Sequence, residues 1–167
     1  IALLSPTAIS YLSTSQTQAL TSSQFAYLTT DDIAALTSTQ YSALSTKQIM
    51  GLDATRVLAL FGGATVSTKI SSLPPNALTK LTTANTTSLT SAQLGALTTA
   101  QIPGLSASVI SSLTTTATGQ IKGFTTAQVA FLTQAQAKAL SASQLGALTT
   151  TQTAALSTYA IAALSAS

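Results

Sequence analysis

The sequence predicts an all-α fold, a solenoid of short capped helical turns with about one turn per eight-residue repeat. Three observations predict it. Leucine falls at 4, 12, 20, 28, 36, 44, 52 and 60, resumes at 73, 81, 89, 97, 105 and 113, and after Phe124 continues at 132, 140, 148, 156 and 164. A Ser or Thr follows that leucine, with Gln three residues further on, along most of the chain. The last residue of each unit is usually small.

The eight-residue step comes first, because it decides between helix and strand. The unit reads L-[T/S]-x-x-Q-h-x-[A/G], where h is apolar. In a continuous helix each residue turns about 100°, so leucines eight apart would wind round every face. A flat strand keeps the leucines on one face but puts the second apolar slot, five residues later, on the other. A short helix broken once per octad places both apolar residues on one side.

The hydroxyl and the Gln supply the break. Ser or Thr followed three residues later by Gln is the capping-box pattern: the hydroxyl accepts from the N3 amide and the Gln side chain reaches back to the cap amide. The leucine before the cap and the apolar residue at N4 have the spacing of a hydrophobic staple. Of nineteen octads, fifteen carry Ser or Thr in the second slot, Asp53 adds another cap former, and eleven carry Gln in the fifth. Helices this short are unstable alone, far below the roughly 12 to 15 residues needed for marginal stability in water. Stacking of successive units must hold them, and the small eighth slot permits close approach. Tyr11, Tyr27, Lys80 and Phe131 break that last rule and are expected at an edge or where neighbours leave room.

The repeat forms a single array with blocks at 4–59, 65–112 and 116–163, separated by insertions at 60–64 and 113–115. Lys69 with Ile70, and Gln120 with Ile121, occupy the fifth and sixth slots after the two breaks. Pro74 and Pro75 suit the start of a capped turn, where proline loses no helical hydrogen bond. Pro103 lies inside a turn and should distort it. The array is cut in mid-repeat at both ends, without capping units or an initiator methionine, as expected of a piece of a longer array or a processed product. The alternative fold is a β-solenoid with two octads per coil, which threonine favours and the Ala, Leu and Gln content opposes.

Composition narrows the function. Charged residues are only 5%, against about 25% in typical domains. Disorder is not expected, since 46% of residues are hydrophobic and the net charge is only +3. The basic pI of about 9.5 rests on Lys47, Arg56, Lys69, Lys80, Lys122 and Lys138, which are too scattered to track a phosphate backbone. No nucleic acid is expected as a partner. No apolar run is long enough for a membrane span, the longest being 57–64, and no signal peptide is visible in IALLSP.

The chain has no His, Cys or Glu, which removes the usual acid–base, thiol and transition-metal chemistry. Asp31 and Asp32 are adjacent and could hold a hard cation weakly, but charge in the first turn of a helix accounts for them. Gly62 and Gly63 lack the lysine and hydroxyl of a phosphate loop. Catalytic, cofactor and metal residues are therefore expected to be none, and the chain is read as no enzyme. Thr doublets at 29–30, 82–83, 98–99, 125–126 and 149–150 leave open an ice- or glycan-binding solenoid.

The phrases LTTAQIPGL (97–105), FTTAQVAFL (124–132) and LTSAQLGAL (89–97) resemble octapeptide arrays found in very large bacterial secreted or surface proteins of adhesin-like or haem-utilisation-like type. The resemblance covers nearly the whole chain. It implies an extracellular or cell-surface structural protein, either a self-associating filament, stalk or matrix subunit or a spacer array in a giant adhesin. Its partners would be itself and cell-surface or matrix components. Haem is not expected, because Met50 alone cannot supply a ligand pair and His and Cys are absent.

Overall fold

The computed structural model describes residues 5–61, 66–117 and 119–165. They are mostly helical, with no strand among them. The helices are as short as the octad requires, from four residues at Thr83–Thr86 to eight at Thr158–Ser165. The strand alternative is not what these octads form.

Most of the breaks share one construction. The helix Thr14–Ala19 gives way to Leu20 at ψ 126° and Thr21 at ψ 158°, two extended residues that end one helix and start the next, Ser22–Ala26. The Thr21 hydroxyl accepts from the Gln24 amide at 3.2 Å, and Gln24 Oε1 accepts from the Thr21 amide at 2.9 Å. The same reciprocal pair joins Thr37 to Gln40, Ser45 to Gln48, Thr125 to Gln128, Thr133 to Gln136, Ser141 to Gln144 and Thr149 to Gln152. Asp53 caps Ala54–Ala59 in place of a hydroxyl. Thr29 pairs with Asp32 instead of Gln, the carboxylate accepting from the Thr29 amide at 2.9 Å.

Contacts divide the chain into two compact units, Ile1–Lys80 and Leu81–Ser167. Within the first, the helices pack mainly on the third one along. Pro6–Ser10 meets Thr30–Ala35, Ser22–Ala26 meets Thr46–Met50, and Thr30–Ala35 meets Ala54–Ala59. Between them lie the staple leucines Leu28, Leu36, Leu44 and Leu52 with the sixth-slot residues Ile33, Tyr41, Ile49 and Val57, all buried. Tyr41 fits this apolar slot because its hydroxyl donates to the Ile33 carbonyl at 3.0 Å. Leu60 and Phe61, the first two residues of the expected insertion 60–64, are buried too, while 62–64 lie outside the described residues. Pro75 opens a 3₁₀ turn, Pro75–Lys80, where its missing amide costs nothing.

The second unit repeats the spacing. Ser91–Gly95 packs on Gln120–Gly123, Ala107–Ser112 on Gln134–Lys138, and Thr126–Ala130 on Thr150–Ala154. The first of these contacts is backbone against backbone: a Cβ on Gly123 would lie 2.1 Å from the Ser91 carbonyl oxygen. Only glycine fits there. Around Pro103 the unit Thr99–Gly104 winds as a 3₁₀ helix, as expected when proline removes an amide from so short a turn.

Candidate functional site

The feature that recurs through both units is a rung made by the fifth-slot side chain. In a capping box only the oxygen of Gln is occupied. Its amide nitrogen still has two protons, and the fold uses both. Gln48 Nε2 donates to the Thr17 carbonyl at 2.7 Å and the Leu20 carbonyl at 3.0 Å. Gln40 does the same to Ile9 at 2.9 Å and Leu12 at 2.8 Å. In the second unit Gln136 reaches Ile102 and Leu105 at 2.7 and 2.6 Å, and Gln144 reaches Ile110 and Leu113 at 2.8 and 2.9 Å. Gln120 and Gln128 form equivalent pairs, and Gln152 donates to Phe124.

The acceptors follow one rule. They are the sixth-slot carbonyl of the fourth octad back and the leucine carbonyl that opens the third octad back. These carbonyls occur where a helix ends. Ile9, for example, already accepts from the Leu12 amide at 3.2 Å, and the Gln proton fills its second lone pair. Gln40, Gln48, Gln101, Gln128, Gln136 and Gln144 are each 1 to 2% exposed. One side chain thus starts its own helix and ties it to the ends of others about thirty residues earlier.

At two fifth slots that are not Gln, a cation takes over the donor role. Arg56 Nε donates to the Leu28 carbonyl at 2.7 Å, and Lys69 Nζ to the Ala34 carbonyl at 2.8 Å. Arg56 also pairs with its own cap, Asp53. The Arg56 amide at the Asp53 carboxylate, followed by the guanidinium charge, holds that carboxyl below its usual range. Lys69 Nζ lies 5.5 Å from the centre of the Tyr41 ring, and burial lowers its pKa from the ordinary lysine value. Burial likewise pushes the Tyr41 phenol upward.

The three-residue break in the second unit is absorbed at a rung. Leu113 is buried and its carbonyl accepts from Gln144, while Thr114 acts as the cap. Its hydroxyl accepts from the Gln120 amide at 3.1 Å, and its amide donates to Gln120 Oε1 at 3.1 Å, across six residues instead of three. The extra residues thus loop out between cap and Gln. A cavity of about 340 Å³ opens there, lined by Thr87, Leu89, Thr90, Ser91, Thr114, Thr116 and Gln120.

The residues singled out for chemistry are dispersed. Asp32 is buried in its box and Asp31 is exposed beside it. Among the described residues no three His, Cys, Asp or Glu side chains gather, and no helix is long and apolar enough to cross a membrane. The eighth-slot exceptions Tyr11, Tyr27 and Phe131 are 83, 71 and 54% exposed, so the rule of small residues is relaxed where the side chain meets solvent. Met50 is exposed as well. The Thr doublets divide their work as expected, the first residue serving its box and the second facing solvent at 30, 83, 126 and 150.

Sequence reasoning assigned Gln to the cap alone and missed its second role. A signal was present: the chain contains no Glu. Glutamate closes a capping box and suits the positive end of a helix, so its total replacement by Gln marks a need for the amide protons. No family model, curated protein or solved structure matches the chain.

Proposed function

We propose that this chain is a structural repeat protein acting outside the cell as a self-associating filament, stalk or matrix subunit, built as a solenoid of three to four octads per turn. The observation that carries the reading is the glutamine rung. In both units octad after octad meets its predecessors through the same Gln donors and main-chain carbonyls, so one turn of the array is a template for the next. The low charge supports the reading, since little repulsion opposes packing of one copy against another. The resemblance to octapeptide arrays of bacterial surface proteins points to the extracellular setting and to surface or matrix components as further partners. The reading assigns no reaction to the chain.

Negative-stain electron microscopy of the purified chain over a rising concentration series tests it. Elongated assemblies that lengthen with concentration are expected. Dispersed single particles at millimolar concentration would overturn the proposal.

A further inference from the structure

Two box glutamines leave their amide protons unused. Gln16 and Gln24 close the boxes of Ser13 and Thr21 through Oε1, yet both are exposed and their Nε2 groups have no partner among the described residues. The leucines beside them, Leu12 and Leu20, are only half-buried, unlike Leu28, Leu36, Leu44 and Leu52. The same turn carries Tyr11 and Tyr27, the two most exposed large hydrophobic side chains among the described residues. Unused donors, half-covered leucines and exposed tyrosines on one turn are the chemistry of a surface that becomes covered.

The matching acceptors also exist. Across 145–156 the carbonyl pairs Leu145 and Leu148, and Thr153 and Leu156, stand in the positions that receive Gln protons elsewhere, whereas the preceding pairs, Val129 with Leu132 and Ala137 with Leu140, are already buried within the chain, where Thr158–Ser165 packs on Gln134–Lys138. Leu145 and Thr153 each accept from the amide of the following leucine, as Ile9 does, and neither carbonyl receives a side chain among the described residues. Gln16 and Gln24 lie one octad apart, and so do adjacent acceptor pairs.

We infer that the turn carrying Gln16 and Gln24 docks head-to-tail on the 145–156 turn of a second copy of this chain, each carboxamide donating to a sixth-slot and a leucine carbonyl. The inference rests on the filament reading and specifies its contact. The contact repeats inside each copy at Gln40, Gln48, Gln136 and Gln144, so its geometry is already tested by the fold itself.

The test is sedimentation of the 167-residue chain and of Gln16→Glu/Gln24→Glu, with Gln16→Ala/Gln24→Ala as a second probe. Glu keeps the box acceptor, so far-UV circular dichroism should match the parent. It faces the carbonyls with a charge, so the concentration for half-association should rise roughly a hundredfold. The Glu variant retains its acceptor turn, so small amounts mixed into the parent should end growth and shorten the assemblies. A parent chain that stays monomeric overturns both the filament reading and this contact. Parent assemblies that neither Glu nor Ala weakens, or that the Glu variant does not shorten, overturn the contact alone.

Discussion

Two stretches of the first unit spell nearly the same octad and are used differently. Ser13–Gln16 and Ser45–Gln48 build matching boxes, with Gln oxygens 2.8 and 2.9 Å from the cap amides and cap hydroxyls 3.1 and 3.3 Å from the Gln amides. Gln16 is exposed, whereas Gln48 is 1% exposed and donates to the carbonyls of Thr17 and Leu20. The box needs only four consecutive residues. The rung needs another helix about thirty residues earlier, and Gln48 finds it in the octad of Gln16 itself. Local spelling decides where a helix starts, and the distant partner decides what the helix is attached to.

The largest effect should come from separating the two roles. Gln48→Glu keeps the box but removes both donors and sets a carboxylate against two carbonyls. Denaturant unfolding should show a loss of about 3 to 5 kcal/mol, while Gln16→Glu should leave stability within about 0.5 kcal/mol. Equal losses would collapse the distinction. The caps should then behave alike: Ser13→Ala and Ser45→Ala should each cost about 1 kcal/mol in the same assay, because the hydroxyl acts within its own helix.

The smallest effect concerns Asp53, the charged version of the cap. Its carboxyl is held below the usual range by the Arg56 amide and then by the Arg56 charge. The stabilisation is therefore present above the ordinary carboxylate pKa and lost as pH falls through the lowered one. Thermal melts from neutral to acid pH should lose part of their slope in Asp53→Asn, which keeps an acceptor at the cap without the charge. An unchanged slope would remove Asp53 from the account.

The helical character, the caps and the staples were legible because they depend on residues within one octad. Thr21, Gln24 and Phe25 disclose their roles to anyone reading eight letters. Which helices pack on which was not legible, because identical octads give no reason to prefer the third neighbour over the second. The second use of Gln lay between these cases. The missing glutamate pointed to it, but its acceptors are main-chain carbonyls, which leave no mark in a sequence. Lys69 was read in the fifth slot and Arg56 was passed over as one more scattered cation, and only the structure shows why cations work there: each presents a proton at the end of a long chain. The candidate site was therefore half legible, its donors visible and its acceptors hidden.

The loop between Thr114 and Gln120 has a wider consequence. Identical rungs carry no address, so any octad could pair one step early or late with the same bonds. The three extra residues make the array uneven. Gln120, Gln128, Gln136 and Gln144 reach carbonyls 31 and 34 residues back, whereas Gln40 and Gln48 reach 28 and 31. A slipped pairing would have to carry the loop into a place without room for it. Irregularity in a repeat of this kind acts as punctuation, giving otherwise interchangeable phrases one reading frame.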